Sequence, residues 1–304
     1  MTPRTPVPDA EATATARPHA RTELERHGLR PKKSLGQNFL GDASACRRIA
    51  ELACSDGAGS VLEIGAGLGA LTAPLLDRGC QVTSVETDSS LVQVLRATFA
   101  EQLAAGRFQL LHADAKELDF RATLEQLPRP RSLAGNLPYH LSGLLLRRAI
   151  DASMAVDRAV FLLQLEVVGR LCAAPGTADY GALSVFAQAV YTPRRAFVVK
   201  RGAFYPAPNV DSAVVVLEPR ADRGLALDAG FAGLVRAAFE KRRKTLRNAW
   251  RGIFGTSNET VEAAASAAAI ELNCRGEVLA VEDFARMARA LAAAGVKATT
   301  EADA

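Results

Sequence analysis

The chain has 304 residues, 49% of them hydrophobic and 23% charged, which is enough for one large folded domain and a smaller one. Its net charge is only +4, so no overall basic character indicates the partner. The charge is uneven, however, because 13 Lys and Arg stand against 5 Asp and Glu between Arg194 and Arg251. Such a local excess is typical of a surface that faces a polyanion, or simply of a solvated helix face.

The five cysteines form no Cys-x-x-Cys pair, and no cluster of histidines accompanies them, which disfavours a zinc site. Their odd number and scatter predict reduced, mostly buried thiols in a cytoplasmic protein rather than disulfides. They are Cys46, Cys54, Cys80, Cys172 and Cys274. No apolar run approaches the roughly 18 residues that a membrane span needs, and no apolar segment of a secretory signal stands at the start.

Residues 1–25 are rich in Thr, Pro and Ala and lack apolar periodicity, so we predict a disordered tail there. Its acidic residues and its lack of serine disfavour a transit peptide.

From Ser60 onwards, apolar runs alternate with helical stretches. The predicted strands cover residues 60–64, 81–86, 108–112, 132–136 and 159–164. Strands alternating with helices imply βαβ units, and near-continuous apolar strands indicate a parallel sheet covered on both faces. We therefore predict an α/β, Rossmann-like domain over residues 26–219. Residues 183–191 fit either a helix or a strand, and 195–200 and 211–218 are predicted to close the sheet, with an antiparallel edge.

After Pro219 the strand signals stop. Helical periodicity covers residues 228–251, 257–272 and 281–294, separated by glycine-containing breaks. This pattern predicts a small all-helical domain over residues 220–304.

The stretch VLEIGAGLGALT is typical of a strand, a glycine turn and the start of a helix. Gly65 opens a GxGxG spacing, which permits a tight turn and lets backbone N–H groups approach a ligand. A dinucleotide fingerprint would need a glycine where Ala70 stands. With the acidic Glu63 ahead of it, the loop is similar to those that hold S-adenosylmethionine.

Two carboxylates follow at predicted strand ends. Glu86 stands 21 residues past Gly65, about where nucleotide-binding α/β folds place a carboxylate on the ribose hydroxyls. The alternative is a strand-end carboxylate near a helix cap. Asp114 is predicted to accept a hydrogen bond from the amino group of the cofactor adenine, although Asp114-Ala-Lys-Glu117 also fits a capping box.

The fourth predicted strand ends at Asn136, in the stretch GNLPY. Ligands of open α/β sheets bind beyond the carboxyl ends of the strands, so Gly65, Glu86, Asp114 and Asn136 are expected on one rim.

The Asn136 side-chain oxygen and the Leu137 carbonyl can each accept a hydrogen from the exocyclic amine of adenine. This would localise the nitrogen lone pair toward an incoming methyl group, in a base that has been flipped out or is unpaired. Pro138 keeps the turn rigid, and Tyr139 offers a ring on which the base can stack. The alternative is a buried turn in which Asn136 bonds the backbone and Tyr139 fills the core.

Several stretches together resemble the KsgA/RsmA family of small-subunit ribosomal RNA adenine N6-dimethyltransferases. They are LGQNFL (35–40), VLEIGAGLGALT (61–72), GNLPY (135–139), FYPAPNVDSAVV (204–215) and AAFEKRRKTLRN (237–248). The resemblance covers about residues 30–290. It implies S-adenosylmethionine-dependent dimethylation of two adjacent adenosines near the 3′ end of 16S ribosomal RNA in an assembling 30S particle. It also implies a cytoplasmic monomer without a metal.

The resemblance further implies roles for single residues. Asn38 and Leu40 would cover the methionine end of the cofactor, with help from Gln37. Phe204 would sandwich the target adenine against Tyr139. The alternative for Phe204 is an ordinary core residue ahead of a proline-rich stretch.

The stretch 231–250 is amphipathic. We expect one apolar stripe to pack inward: Phe231, Leu234, Val235, Ala238 and Leu246. We expect one outward strip to bind RNA phosphates, or else to be merely solvated: Arg236, Arg243, Arg247 and Arg251, with Lys244 beside it. Arg242 falls on the apolar stripe, which suggests a specific buried partner.

Two other functions stay open. A resistance methylase acting on large-subunit RNA usually carries isoleucine where Leu137 stands and lacks a close match to EKRRKTLRN. A pure RNA-binding or transcription factor on the same fold is disfavoured by the intact NLPY and GxGxG elements.

Overall fold

Seven strands form one mixed sheet in the computed structural model, which describes residues 20–54, 59–223, 228–240 and 243–298. A separate two-stranded ribbon lies beside it. In chain order the strands are β1 (Phe39–Leu40), β2 (Ser60–Ile64), β3 (Gln81–Glu86), β4 (Phe108–His112), β5 (Arg131–Asn136), β6 (Arg158–Gln164), β7 (Tyr191–Val199), β8 (Phe204–Tyr205) and β9 (Ser212–Pro219).

Helices precede, connect and follow these strands. They are α1 (Ala20–Arg26), α2 (Ala43–Ala53), α3 (Thr72–Asp77), α4 (Ser89–Thr98), α5 (Ala100–Ala104), α6 (Phe120–Glu125), α7 (Ser142–Asp151), α8 (Leu165–Leu171), α9 (Ala182–Val190), α10 (Ala229–Glu240), α11 (Leu246–Ala249), α12 (Asn258–Ala267) and α13 (Val281–Ala293).

The order of the large sheet is β4-β3-β2-β5-β6-β9-β7, and its first five strands are parallel. The chain runs outward from β2 to β3 and β4, then crosses back to β5 on the other side of β2. This reversal places the switch point between β2 and β5, where open α/β sheets form their ligand crevice. The predicted Rossmann-like α/β sheet is confirmed, and each of its five predicted strands is found within one residue of its expected ends.

The sheet closes with two antiparallel strands, because β9 lies between β6 and the edge strand β7. This confirms the antiparallel edge that the sequence suggested. The ambiguous run 183–191 is almost entirely helical, as α9.

Helix α1 overlaps the end of the predicted disordered tail, so the boundary expected at residue 25 is wrong. Ala20 and Leu24 are buried in a small apolar cluster with Phe39 and Leu91. This packing explains a helix that composition alone did not predict. Residues 1–19 lie outside the described residues.

The single helix expected over 228–251 is also wrong, because α10 ends at Glu240 and α11 begins at Leu246. The backbone N–H groups of Leu246 and Arg247 donate to the carbonyls of Cys274 and Leu272, at 2.8 Å each. Carbonyls of the loop before α13 therefore accept these two N–H groups, which in a continuous helix would bond to carbonyls of the same helix. The other two predicted helices are found as the shorter α12 and as α13.

A continuous apolar cluster crosses the boundary predicted at residues 219 and 220. It joins Phe161 and Phe186 from the sheet side to Phe231, Trp250 and Phe284 from the helical region. The rings of Phe186 and Phe231 meet edge to face with centroids 6.3 Å apart. The helical region thus packs directly on the sheet domain.

The sulfur atoms of Cys54 and Cys80 are in contact, a pairing that the scatter of the cysteines along the chain does not predict. They are 26 residues apart in sequence, and only the packing of the end of α2 beside the start of β3 brings them together. Of the others, Cys46 is buried, Cys274 is half-buried and Cys172 is exposed. Within the described ranges, no helix is long and apolar enough to cross a membrane.

Candidate active site

The carboxyl ends of β2, β3 and β5 open onto one cleft with a cavity volume of about 620 Å³. We call it the strand-end cleft. Its lining includes most residues that the sequence singled out: Gln37, Asn38, Leu40, Gly65, Glu86, Asp114, Asn136, Leu137 and Tyr139. The cleft lies at the switch point of the sheet, as the topology requires.

The glycine turn after β2 forms one wall of the strand-end cleft. Gly65 and Gly69 have φ angles of +77° and +78°, a left-handed backbone that other residues rarely adopt. A Cβ atom on Gly69 would also lie 2.5 Å from the ring of Phe99. The turn therefore needs glycine both for its backbone and for its packing.

The N–H groups of this turn are used within the protein. Gly65 donates to the carbonyl of Val85 (2.9 Å), Gly67 to the carboxylate of Glu86 (2.8 Å) and Gly69 to the carbonyl of Ala66 (2.9 Å). The N–H groups of these three glycines therefore already have acceptors within the protein. A pyrophosphate would depend on free donors of this kind.

Glu63 is buried behind the glycine turn, with 1% of its surface exposed. Its carboxyl accepts hydrogen bonds from the hydroxyls of Thr72 (2.6 Å) and Ser84 (2.5 Å). Burial raises the pKa of Glu63 to about 7. This side chain ties the start of α3 to β2 and β3 and so fixes the shape of the turn.

Glu86 ends β3, and each of its carboxylate oxygens accepts one backbone N–H. The donors are Gly67 to Oε2 (2.8 Å) and Asp88 to Oε1 (2.9 Å). Burial raises the pKa of Glu86, and these two donors oppose the rise. A carboxylate oxygen can accept a second hydrogen bond, so capacity for two ribose hydroxyls remains. The alternative of a strand-end carboxylate near a helix cap also fits these contacts, because Asp88 is the residue that caps α4 through the N–H of Ser90 (3.1 Å).

Asp114 also lines the cleft, at the end of β4. Its Oδ1 accepts the N–H of Lys116 at 2.9 Å, and its Oδ2 lies 3.1 Å from the Lys116 ammonium. Burial opposes ionisation, but these contacts lower the pKa of Asp114 overall. The capping-box alternative is wrong: Glu117 N–H bonds only the Asp114 carbonyl (2.9 Å), and the next helix begins at Phe120.

The amide of Asn136 is oriented by a backbone contact. Its Nδ2 donates to the carbonyl of Asn38 at 2.9 Å, so Oδ1 is the end of the amide left to accept. The N–H of Leu137 donates to the carbonyl of Leu162 at 3.2 Å, and the Leu137 side chain is 1% exposed. The GNLPY turn is therefore held at two points, by the side chain of Asn136 and by the backbone of Leu137.

Tyr139 is tethered at the edge of the cleft. Its hydroxyl and that of Ser212 are 2.6 Å apart, and Ser212 is fully buried at the start of β9. Burial raises the pKa of Tyr139. Tyr139 lines the cleft and is half-buried, so it does not fill the core, whereas the bond from Asn136 to the Asn38 backbone agrees with the other part of the alternative left open. Sequence reasoning missed Ser212, because 73 residues separate the pair.

Phe204 is not part of the cleft lining, so its predicted sandwich with Tyr139 does not match this arrangement. Its side chain is 3% exposed and belongs to an apolar cluster with Leu40 and Val199. The reason is strand pairing: Phe204 lies opposite Leu40 in the antiparallel β1–β8 ribbon. This is the core position that the sequence left as the alternative.

The segment before β1 contributes Gln37 and Asn38 to the cleft. The Gln37 amide is engaged at both ends, by the N–H of Lys32 (2.8 Å) and by Asp88 (3.0 Å). It is thus bonded to protein rather than directed at a ligand. The Asn38 amide donates to the carbonyl of Gly36 (3.2 Å).

The cationic residues of the helical region lie outside the strand-end cleft. Arg236, Arg243, Lys244, Arg247 and Arg251 are all exposed. They do not share one helix, because α10 ends at Glu240 and α11 covers only Leu246–Ala249, so the single helix that was expected to carry the strip does not form. Arg247 also pairs with the carboxylate of Glu262.

The expected apolar stripe is confirmed, since all five of its residues are buried. They are Phe231, Leu234, Val235, Ala238 and Leu246. The prediction for Arg242 falls outside the described residues. Among the residues that the structure describes, no group of three or more His, Cys, Asp or Glu could hold a metal ion.

Comparison with known proteins decides the family. The model of the family described as ribosomal RNA adenine dimethylase matches residues 28–293. The chain belongs to the ribosomal RNA adenine dimethylase family. This confirms the family that the motifs predicted, and with it an enzyme that dimethylates adenine in ribosomal RNA.

Relatives of this dimethylase are similar over nearly their full length. It is 44% identical over 284 residues to ribosomal RNA small subunit methyltransferase A of Anaeromyxobacter sp. (strain K), covering 90% of this chain and 98% of that one. It is 41% identical over 267 residues to the protein of the same name from Streptomyces coelicolor, covering 86% and 91%.

Solved structures confirm the fold of the dimethylase. A dimethyladenosine transferase from Plasmodium falciparum matches with a TM-score of 0.69 at 21% identity, over 84% of this chain and 98% of that one. The 23S rRNA methyltransferase ErmE matches with a TM-score of 0.60 at 26% identity, over 84% and 100%.

Proposed function

We propose that this dimethylase transfers methyl groups from S-adenosylmethionine to the N6 amines of two adjacent adenosines near the 3′ end of small-subunit ribosomal RNA. The observation that carries the proposal is the meeting of Glu86, Asp114 and Asn136 at one cleft beside the glycine turn. The 41–44% identity to relatives named small subunit methyltransferase A supports the choice of RNA.

The cofactor would lie along the rim of the sheet. Glu86 is suited to the ribose hydroxyls and Asp114 to the adenine amino group, because both carboxylates keep acceptor capacity on the cleft side. Asn38 and Leu40 would cover the methionine end. When bound, S-adenosylmethionine supplies an electrophilic methyl group on a sulfonium.

The residues of the protein itself bind and polarise the amine of the target base. Asn136 Oδ1 and the Leu137 carbonyl each accept one N6 hydrogen, which withdraws the nitrogen lone pair from the ring. The Asn136 amide is positioned before the base arrives, since it is already bonded to the Asn38 carbonyl, and the Leu137 backbone is held by its N–H bond to the Leu162 carbonyl. Preorganised acceptors of this kind stabilise charge that develops in the transition state. The ring of Tyr139, held by Ser212, provides a surface for stacking.

Binding of the RNA would fall to the exposed cations of the helical region: Arg236, Arg243, Lys244 and Arg247. They would contact phosphates and so position the RNA without reading its sequence. The proposed target is an assembling 30S particle in the cytoplasm, with the enzyme acting as a monomer.

Product mapping tests the proposal. Purified protein and S-adenosylmethionine would be incubated separately with small and large ribosomal subunits from cells that lack the modification. Nuclease digestion with mass spectrometry would quantify N6,N6-dimethyladenosine, and primer extension would place it. We expect two adjacent modified adenosines in the small-subunit RNA and none with the Asn136→Ala variant.

The same experiment separates the other two functions. Modification of the large-subunit RNA instead would favour an activity like that of the 23S rRNA methyltransferase ErmE. Binding of subunits without any methyl transfer or any heat of S-adenosylmethionine binding would favour a pure RNA-binding protein.

A further inference from the structure

The segment of residues 32–40, which we call the strap, crosses the strand-end cleft and is anchored at both ends. At one end, Lys32 and Gln37 contact Asp88, just past the end of β3. At the other, the Asn38 carbonyl accepts the Asn136 amide at the end of β5. The strap therefore bridges the cofactor side and the substrate side of the cleft.

The Asp88 anchor is a dense hydrogen-bonded cluster. Lys32 Nζ lies 2.7 Å from Oδ1 of Asp88, and Gln37 Nε2 donates to Oδ2 at 3.0 Å. Gln37 Oε1 in turn accepts the backbone N–H of Lys32 at 2.8 Å, which closes a ring of contacts. The side chain of Asp88 is only 3% exposed, whereas that of Lys32 is 47% exposed.

Helix capping accounts for only part of this cluster. Asp88 caps α4 with a single acceptor contact to the N–H of Ser90. Asp119 also caps a helix, α6, by accepting the N–H of Ala122 at 3.0 Å. That cap is exposed to solvent, whereas Asp88 is buried. Both contacts from the strap to Asp88 are additional to what a cap requires.

The backbone of Asp88 also reaches the predicted ribose carboxylate. Its N–H donates to Glu86 Oε1 at 2.9 Å. Asp88 thus holds the strap with its side chain and Glu86 with its main chain. A shift of this residue would move both walls of the cofactor site.

We propose that Asp88 is a positioning residue that, together with Lys32 and Gln37, locks the strap over the cofactor and thereby sets the orientation of Asn136. The proposal rests on the proposed function for the identity of the ligand. Asp88 does not line the strand-end cleft: it holds Gln37, Gln37 holds the strap, and the Asn38 carbonyl holds the Asn136 amide. This is also why the Gln37 amide is engaged by protein on both sides.

The decisive variant is Asp88→Ser, because serine keeps the helix cap but is too short to hold the strap. Its matched control is Asp119→Ser, the same change at a cap without a strap. Isothermal titration with S-adenosylmethionine, which needs no catalysis, should show affinity about tenfold weaker for Asp88→Ser, since a hydrogen-bonded charged pair is lost. The control should bind as the wild type does.

Hydrogen exchange in the free protein gives a readout that a simple capping role would not produce. We expect faster exchange across residues 36–40 in Asp88→Ser and unchanged exchange there in Asp119→Ser. Turnover at saturating cofactor should also fall, because the Asn136 amide loses its fixed partner. A loss confined to the KM for the cofactor would overturn the link to Asn136.

A surface variant tests the same contact in case Asp88→Ser does not fold. Lys32→Met removes only the exposed partner of the pair and should weaken S-adenosylmethionine binding in the same direction, while Lys32→Arg should restore it. Wild-type affinity in both Asp88→Ser and Lys32→Met would overturn the proposal. If the wild type itself binds no S-adenosylmethionine, the proposed function fails instead, so the two failures are distinguishable.

Discussion

The strand-end cleft and the cationic surface of the helical region differ in how their side chains are held. In the cleft, Glu86 and Asn136 are each fixed by backbone partners within 2.9 Å. On the helical surface, Arg236 and Arg243 are exposed, and Arg247 already pairs with Glu262. Chemistry on a single amine needs fixed acceptors, whereas phosphate contacts tolerate mobile cations.

The difference predicts how each region responds to change. A substitution in the cleft should have a large effect on one step, because its partners cannot rearrange. A substitution on the cationic surface should have a small, salt-dependent effect that is shared among neighbours. The following predictions test this contrast, from the largest expected effect to the smallest.

Removal of the Asn136 amide should have the largest effect. Asn136→Ala loses the oriented acceptor, so we expect kcat to fall by about 10²–10³-fold, as when one preorganised group of this kind is deleted elsewhere. RNA affinity should stay unchanged, because the cationic surface is untouched. Single-turnover methylation and filter binding measure the two quantities. The exposed Asn209→Ala is the control, and turnover of Asn136→Ala within a few fold of wild type would refute the polarisation of the amine.

The buried Glu63 should make stability depend on pH. Its pKa is about 7 in the folded protein against an ordinary value of 4.5, so the folded state binds the extra proton between these values. Stability should therefore fall as pH rises from about 4.5 to 7, by on the order of 3 kcal/mol. Glu86, whose pKa burial also raises, acts in the same direction.

Urea unfolding from pH 5 to pH 8 isolates the share of Glu63. The Glu63→Gln variant cannot titrate there, so its stability should fall less than that of the wild type over this range. The exposed Glu125→Gln should follow the wild-type curve. Parallel curves for wild type and Glu63→Gln would show that Glu63 is ionised in the folded protein across this range.

Close packing at the GNLPY turn predicts a third effect. A Cβ atom on Gly135 would lie 2.5 Å from the carbonyl oxygen of Ile64, which belongs to the neighbouring strand. Gly135→Ala should therefore lower the free energy of unfolding by about 2 kcal/mol. Gly143→Ala is the matched control, because its Cβ meets nothing within 4 Å and α7 should gain about 0.5–1 kcal/mol. Equal stability of the two variants would contradict the rigid turn.

The smallest effect is expected on the cationic surface. Arg243→Ala should lower RNA affinity a few fold and flatten the dependence of log affinity on log salt by about one unit, because one phosphate contact is lost. Arg247→Ala should do less, since Glu262 already neutralises its charge. Arg78→Ala, an exposed change outside both regions, is the control. An unaltered slope for Arg243→Ala would place the RNA surface elsewhere.

The sequence predicts the cleft better than the surface, for a physical reason. Strand periodicity sets where β2, β3 and β5 end, so spacing alone places Gly65, Glu86 and Asn136 on one rim. The partners that fix these residues are not local: Lys32 and Asp88 are 56 residues apart, and Tyr139 and Ser212 are 73 apart. The hydrophobic periodicity of the sequence does not show which residues form such long-range pairs.

The wrong predictions have the same origin. Phe204 lies in the core because it pairs opposite Leu40, a contact between distant strands. The new helix that begins at Leu246 is supported by the carbonyls of Cys274 and Leu272, which helical periodicity within 228–251 cannot reveal. The support that Glu63 gives the glycine turn also depends on partners that spacing does not show, the hydroxyls of Thr72 and Ser84.

The central claim is that the amide of Asn136 receives the amine of the target base beside the bound donor. A crystal structure of the protein with S-adenosylhomocysteine and adenosine monophosphate tests it most directly. We predict that N6 of the added base lies within about 3.2 Å of both Asn136 Oδ1 and the Leu137 carbonyl, with Asn136 Nδ2 still on the Asn38 carbonyl. A purine bound elsewhere, or an Asn136 amide turned away from it, would contradict the account.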